Sequence, residues 1–293
     1  MSVVNTRPRI AVKNIVVAVD FTPASDLALQ YAVSIAGSHG SKIHLVHALQ
    51  SPTHAPGAGT LWGSESETEA EERLEAEAAK CGEIECSRWV LKGSELEVVQ
   101  RILSFDEVDL VVIGSHHARG FRRLASGSAA EHFFRHVRCP ILTVGPCVAA
   151  CKPMWEPKRL LLATDLQSEE SAAMRCAVFL AREHDARLAL LHVAPPAPPP
   201  YPDDQQVIAR PYFESRLREL LAYKPGLSYP AEFWVEFSED PVREIVRVAR
   251  EQLMDLIVIS VHREEPWGFH LVHEAYRIVA EAPCPVLITQ RRF

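Results

Sequence analysis

The sequence predicts an α/β protein of two tandem domains, each with a five-stranded parallel sheet covered by helices on both faces. Two observations support this fold class. Short β-branched runs alternate with helical stretches along the chain, which is typical of parallel sheets with crossover helices. The pattern also occurs twice, because the second half of the chain repeats the order of the first half.

Four pairs of matching segments show the duplication. NIVVAVD matches RLLLATD, KIHLVHA matches RLALLHV, VDLVVIGSHH matches MDLIVISVHR, and RCPILTV matches APCPVLIT. The segment GPCVAACKPMWEPK lies between the halves and has no sustained hydrophobic period, as expected of a linker. We therefore place domain 1 at residues 1–146, the linker at 147–157 and domain 2 at 158–293.

The predicted strands of the first half are apolar at consecutive positions, as strands buried on both faces are. Between the first two, Thr22 provides a helix cap and Pro23 a first-turn proline, and this helix should end at Gly37 or Gly40. The strands are predicted at Ile15–Val19, Ile43–Val46, Leu110–Ile113 and Ile141–Val144.

Composition and charge restrict the function classes. The net charge of −7 divides about evenly between the halves, so neither half is basic enough for general binding of nucleic acid or anionic membranes. No apolar run approaches the roughly 18–20 residues of a membrane span, and the N-terminus shows no export signal. The cysteines lack CxxC spacing, which favours reduced thiols and a cytoplasmic protein. A metal or redox pair of Cys147 and Cys151 is the alternative.

The stretch GSHHARGFRRLASGSAAEHFF follows the fourth strand of the first half. Ligands of open parallel sheets bind beyond the carboxyl ends of the strands, where the strand order reverses. Asp20 can accept hydrogen bonds there from ribose hydroxyls or an exocyclic amine. Gly127 and Ser128 open a helix whose N-terminal amides suit phosphate, and Arg119 adds a cationic donor. Together these residues predict a nucleoside phosphate site.

Each of these features has a structural alternative. Asp20 could simply cap the following helix, Gly127-Ser128 could be an ordinary helix entry, and Arg119 could belong to a solvated loop. His47 and His192 end matching strands, and we expect both to be packed, hydrogen-bonded structural residues rather than catalytic bases.

Asp20 follows the first strand, and Gly114 and Gly127-Ser128 follow the fourth at the spacing of a Gly-x-x-Gly-x9-Gly-[Ser/Thr] pattern. In these features the sequence resembles the universal stress protein (UspA) family, and the resemblance covers nearly the whole chain. The resemblance implies tandem flavodoxin-like domains, of the Rossmann-like, adenine nucleotide alpha hydrolase-like type. It also implies ATP or another adenine nucleotide as ligand, with Mg²⁺ as a companion ion, a stress-response role and homodimers. By position, the implied ligand contacts are Ala18, Val19, Asp20, Ala48, Ile113, Gly114, Gly127, Ser128 and Ala129.

Position 117 departs from the family pattern, because a histidine stands where the second glycine is expected. A left-handed backbone at His117 would cost about 1 kcal/mol, but a protonated imidazole could donate a hydrogen bond to phosphate. We therefore expect ATP binding by domain 1 to be retained and weakened. In domain 2, Ser260 and Arg263 replace the glycines, and Glu264 and Glu265 would repel phosphate, so we expect no ATP there.

The sequence thus favours an ATP-binding stress or signalling protein that uses domain 1. A non-binding interaction scaffold with both sites decayed is the alternative. No P-loop, nucleophile elbow or paired carboxylates for Mg²⁺ can be identified, so we expect no enzymatic activity. The last strands of the two sheets, 141–144 and 286–289, can pair by edge addition within the chain, between chains, or both.

Overall fold

The computed structural model describes residues 12–49, 66–93, 97–98, 101, 107–115, 137, 139–149, 155–166, 171–196, 202–222, 226–261 and 268–290. The strands of the first half are β1 (Asn14–Ala18), β2 (Lys42–Leu49), β3 (Cys86–Lys92), β4 (Leu110–Gly114) and β5 (Ile141–Val144). Those of the second half are β6 (Arg159–Ala163), β7 (Arg187–Ala194), β8 (Glu232–Phe237), β9 (Leu256–Val261) and β10 (Val286–Gln290).

The helices whose bounds the structure describes are α1 (Pro23–His39), α2 (Glu67–Ala78), α3 (Ala172–Glu183), α4 (Pro202–Leu221), α5 (Pro241–Glu251) and α6 (Gly268–Glu281). A short 3-10 turn, Ala79–Cys81, follows α2 directly. Of the helices in the described ranges, none has the length and apolar character needed to span a bilayer.

The strands form one continuous sheet in the order β3-β2-β1-β4-β5-β10-β9-β6-β7-β8. Within each half all neighbouring strands are parallel. In each half the strand order reverses next to the first strand, as it does in Rossmann-type sheets. The predicted fold class, two tandem α/β units with five-stranded parallel sheets, is therefore confirmed.

Helix α1 begins and ends where its sequence signals indicate. The Thr22 side chain accepts the Ser25 backbone N–H, and the Ser25 hydroxyl oxygen accepts the Thr22 backbone N–H, which forms a reciprocal N-terminal cap. Pro23 occupies the first turn. Gly40 ends the helix with a left-handed backbone, φ +68°, so of the two predicted ends Gly40 is the correct one.

The two halves are joined by antiparallel pairing of β5 with β10. Thr143 lies opposite Val286, and its hydroxyl donates a hydrogen bond to the Val286 carbonyl oxygen at 2.9 Å. Gly145 follows β5, and a β-carbon there would lie 2.0 Å from the carbonyl oxygen of Val279 on α6. The expected pairing of the last strands thus occurs within the chain, and it occupies both edges.

The linker is fixed to the first half at Trp155. This side chain is only 6% exposed and belongs to a core cluster with residues of both halves. Its backbone N–H donates to the Ser34 hydroxyl oxygen at 2.7 Å. His39 on α1 lies 3.0 Å from the Glu183 carboxylate on α3, so the helices of the two halves also contact each other on this face.

His184 follows α3 and packs edge-on against Trp155, with ring centroids 6.1 Å apart. Burial lowers the pKa of His184, because the charged imidazolium loses hydration inside the protein. The charged groups around it partly oppose one another, since the carboxylates favour the imidazolium and the cations disfavour it. These groups are Glu183, His39, Lys158 and Glu156.

The free energy of unfolding of the wild type should fall between about pH 7.5 and about pH 5.5. We expect this fall to be smaller in His184→Gln. A histidine with a lowered pKa binds a proton more readily after unfolding. Its contribution is therefore complete above the unfolded pKa and is lost as the pH falls through that value toward the folded one. Urea denaturation of both proteins at both pH values measures the effect. Subtracting the loss of the variant from the loss of the wild type removes the contributions of the titratable groups that both proteins share. An equal loss in the two proteins would contradict the assignment.

Candidate functional site

The carboxyl ends of β1, β2 and β4 lie side by side at one edge of the first half's sheet. Ala18 is in register with Val46 of β2 on one side and with Ile113 of β4 on the other. Val19 continues this pairing, because its N–H donates to the Val46 carbonyl oxygen at 2.9 Å. Strand register thus brings six predicted ligand contacts to one edge: Ala18, Val19, Asp20, Ala48, Ile113 and Gly114.

The remaining predicted contacts lie outside the described residues, so the phosphate half of the site stays a prediction. Across the described ranges, no group of three or more His, Cys, Asp or Glu side chains could hold a metal ion. Cys147 is an exposed free thiol, and Cys151 lies outside these ranges. The contacts outside them are His117, Arg119, Gly127, Ser128 and Ala129. Arg263, Glu264 and Glu265, the residues expected to disfavour ATP in domain 2, also lie outside the described residues.

The Asp20 carboxylate holds the start of α1 through one of its two oxygens. Asp20 Oδ1 accepts the Thr22 backbone N–H at 3.0 Å and also accepts the Thr22 hydroxyl. Thr22, not Asp20, is the residue that caps α1. Among the described residues, Asp20 Oδ2 has no hydrogen-bond partner, so this half-buried carboxylate keeps one acceptor open at the sheet edge.

A backbone conformation that is unusual for large side chains follows each strand-end aspartate. Phe21 has φ +58° and Leu166 has φ +64°. A non-glycine residue in this region costs about 1 kcal/mol, so the surrounding contacts must hold the turn. The Phe21 ring packs on His47, with centroids 4.5 Å apart, and the Arg73 guanidinium lies 3.9 Å from the Phe21 ring centre. The sequence pattern gave no signal for this turn.

The two strand-end histidines are packed and hydrogen-bonded, as predicted. His47 Nδ1 lies 2.7 Å from the Val19 carbonyl oxygen and His192 Nδ1 lies 2.9 Å from the Thr164 carbonyl oxygen. Both residues are at most 8% exposed. Because a carbonyl oxygen only accepts hydrogen bonds, each histidine must carry a proton on Nδ1. These hydrogen bonds stabilise the turns that follow β1 and β6.

Gly114 is required by the packing of α1. A β-carbon at this position would lie 2.3 Å from the carbonyl carbon and oxygen of Ala24 and 2.5 Å from the Ser25 nitrogen. The start of α1 therefore presses directly on the end of β4. Sequence reasoning missed this contact, because a glycine in a loop motif gives no indication of which backbone approaches it.

The second half differs at the matching position, where Ser260 replaces the glycine. Ser171 caps helix α3, which begins at Ala172. This start lies about one helical turn later than the position that matches the start of α1 in the sequence repeat. Ser260 Oγ is buried and has no hydrogen-bond partner in the described part of the chain. A cavity of about 220 Å³ lies here, and Asp165 and Glu274 are among its lining residues.

The shared strand-end geometry and the different helix starts show that the two halves are related but not equivalent at this edge. In the first half, α1 covers Gly114 closely and Asp20 holds the helix cap. In the second half, α3 leaves a cavity with two carboxylates on its walls. Glu274 thus adds a further carboxylate beside the strand-end aspartate of the second half, and added negative charge disfavours a phosphate there.

Comparison with known proteins matches both halves to the same family. The model described as the universal stress protein family matches residues 11–145 and 156–290. A Thermus aquaticus protein named universal stress protein in QAH/OAS sulfhydrylase 3'region is 28% identical over 142 residues, which are 45% of this chain and 98% of that protein. Universal stress protein A homolog 1 of Coxiella burnetii is 26% identical over 141 residues, which are 45% of this chain and 95% of that protein.

Solved structures share the whole two-domain fold. The crystal structure of a universal stress protein from Archaeoglobus fulgidus covers 95% of this chain and 96% of its own, with a TM-score of 0.63 at 15% identity. A functionally unknown protein from Pseudomonas aeruginosa covers 96% of this chain and 93% of its own, with a TM-score of 0.63 at 17% identity. The family suggested by the sequence is thereby confirmed: the chain belongs to the universal stress protein family and is a tandem member with two such domains.

Proposed function

We propose that the protein binds ATP at the first half of the chain and acts as a stress-response or signalling protein rather than as an enzyme. The observation that supports this proposal best is the open oxygen of Asp20. It lies at the point between β1 and β4 where the strand order reverses, which is where Rossmann-type sheets bind their ligands.

In this proposal Asp20 Oδ2 accepts a hydrogen bond from a ribose hydroxyl while Oδ1 continues to hold Thr22. The backbone around Ala48 faces the adenine, and Gly127 with Ser128 receives the phosphates, where any Mg²⁺ would also be held. His117 weakens the affinity because it stands in place of a glycine. The second half binds no ATP, because Glu274 adds a further carboxylate beside Asp165, the counterpart of Asp20, and this extra negative charge disfavours the phosphates.

We expect Asp20→Asn to weaken ATP binding by about 10- to 100-fold, because a hydrogen bond to a charged acceptor is replaced by one to a neutral amide. Asparagine keeps an oxygen that can accept the Thr22 N–H, so α1 should remain capped. Isothermal titration of the full chain with ATP and Mg²⁺ measures the affinity. The full chain is needed because removing the second half would expose the β5 edge.

Asp165→Asn is the matched control, because Asp165 occupies the same position in the second half. We expect this variant to bind ATP as the wild type does. Absence of saturable binding by folded wild-type protein at millimolar ATP would reject the proposal and favour the interaction scaffold. An effect of Asp165→Asn equal to that of Asp20→Asn would show that the occupied half has been assigned wrongly.

A further inference from the structure

Two cysteines at the outer side of the first half lie in direct contact. Cys81 ends the 3-10 turn after α2, and Cys86 is the first residue of β3. Their sulfur atoms are 3.4 Å apart. Formation of a disulfide, with a bond of about 2.05 Å, needs only a small further approach of the two sulfurs.

A compact turn holds the pair together. Gly82 takes φ +62° directly after Cys81, and the Ile84 N–H donates to the Cys81 carbonyl oxygen at 3.2 Å. Next to Cys81, Lys80 Nζ lies 2.6 Å from the Asp26 carboxylate on α1. Cys86 is held from the other side by the register pairing of β3 with β2. The two sulfurs therefore belong to packed elements on both sides of the turn.

The two thiols differ in access and in charge. Cys81 is only 3% exposed, whereas Cys86 is partly exposed. The Cys81 thiol donates a hydrogen bond to the Cys86 sulfur, which lowers the pKa of Cys86 and raises the pKa of Cys81. The Arg88 guanidinium also lowers the pKa of Cys86, while burial and the Glu75 carboxylate act against this. Cys86 is thus the more accessible of the two thiols and the one whose thiolate form its surroundings favour, and Cys81 is its neighbouring donor.

The other described cysteines lack this arrangement. Burial raises the pKa of Cys176, and it raises the pKa of Cys284 to about 12. Cys139 is buried. Cys147 is exposed, and its sulfur lies 3.4 Å from the Ala280 carbonyl oxygen rather than beside another described thiol. Selective oxidation should therefore occur at the Cys81–Cys86 pair.

We propose that Cys81 and Cys86 form a reversible redox site that a peroxide converts to an intramolecular disulfide. The Cys86 thiolate attacks one peroxide oxygen, so a sulfur–oxygen bond forms, the oxygen–oxygen bond breaks and the other oxygen leaves as water after protonation. The Cys81 sulfur then attacks the Cys86 sulfenic acid, and the second oxygen leaves as water with the Cys81 proton. Two thiols and one hydrogen peroxide give one disulfide and two waters.

The disulfide would join the end of the α2 segment covalently to the outermost strand of the first half. A thiol reductant restores both cysteines by exchange. The sequence provides a direct assay, because cleavage after Lys80 and Arg88 releases one peptide that contains both cysteines.

The experiment treats the reduced full chain with equimolar hydrogen peroxide, blocks the remaining thiols with N-ethylmaleimide and analyses the tryptic peptides by mass spectrometry. We expect the peptide 81–88 to escape labelling and to lose about 2 Da, and to recover two labels when dithiothreitol precedes blocking. Cys147→Ser, which removes an exposed single thiol, should behave in the same way as wild type.

Two variants test the assigned order of reaction. In Cys81→Ser, Cys86 should stop at the sulfenic acid and be captured by dimedone, because no partner thiol is present. In Cys86→Ser, Cys81 should remain a free thiol. The wild-type result does not depend on whether these variants fold. The proposal would be overturned if peptide 81–88 of the wild type still carried two labels after Cys147 had been oxidised. Disulfides that link Cys81 or Cys86 to another part of the chain would also overturn it.

Discussion

Gly145→Ala is expected to lower the free energy of unfolding by about 3 kcal/mol, because the added methyl group has no space at the junction of the two halves. Its carbon would lie 2.0 Å from the Val279 carbonyl oxygen, which is backbone and cannot rotate away. Either α6 or the end of β5 must move. The neighbouring β5–β10 pairing would loosen as a result, and exposed strand edges favour association between copies.

Gly37→Ala is the matched control for this substitution. Gly37 is an exposed residue of α1, and a β-carbon there meets no atom within 4 Å. Alanine should therefore raise the stability by about 0.5–1 kcal/mol through helix propensity. Urea denaturation of the three proteins gives the free energies. If Gly145→Ala unfolds at the same urea concentration as wild type, α6 does not press on the end of β5 in solution.

Gly114→Ser should lower the stability by a similar amount, about 3 kcal/mol, and should also weaken ATP binding. The new side chain would collide with the backbone of Ala24 and Ser25 at distances of 2.3–2.5 Å. Since Ser25 shares the cap with Thr22, and Thr22 is held by Asp20, a shift of α1 would move the Asp20 carboxylate as well. Denaturation and ATP titration of the same variant measure both effects.

The control is Ser260→Ala, at the matching position of the second half. Ser260 Oγ is buried without a hydrogen-bond partner in the described part of the chain, so its removal should leave the stability within about 1 kcal/mol of wild type or raise it. ATP binding should not change. If serine is tolerated at position 114 as well as at position 260, the different starts of α1 and α3 do not explain why the first half has glycine and the second half has serine.

The individual elements could be predicted closely from sequence. The predicted strand Ile141–Val144 has the observed bounds, and β1 and β4 shift by one residue at most at each end. The cap at Thr22 and the packed, hydrogen-bonded state of His47 were also predicted correctly. These features depend on residues that are near in sequence or on the fixed side-chain pattern of a buried strand, so the sequence contains the information directly.

Contacts between distant segments could not be predicted in the same way. The sequence left open whether the last strands pair within the chain or between chains, and the structure shows β5 pairing with β10 of the same chain. Prediction from sequence also allowed Asp20 to be either a helix cap or a ligand acceptor. In the structure, one carboxylate oxygen of Asp20 holds Thr22 and the other is open among the described residues. The spacing of Cys81 and Cys86 does not indicate a pair, whereas in the structure the turn at Gly82 brings their sulfur atoms into contact.

The sequence by itself determined that this protein consists of two repeated parallel α/β units of the universal stress protein family. Hydrophobic periodicity and the order of matching segments are properties of the linear chain, which is why they were sufficient. The tertiary structure alone decided how the two sheets join, why Gly114 and Gly145 must lack side chains, and which thiols touch. These outcomes depend on distances between backbones that are remote in sequence, and no local pattern encodes such distances.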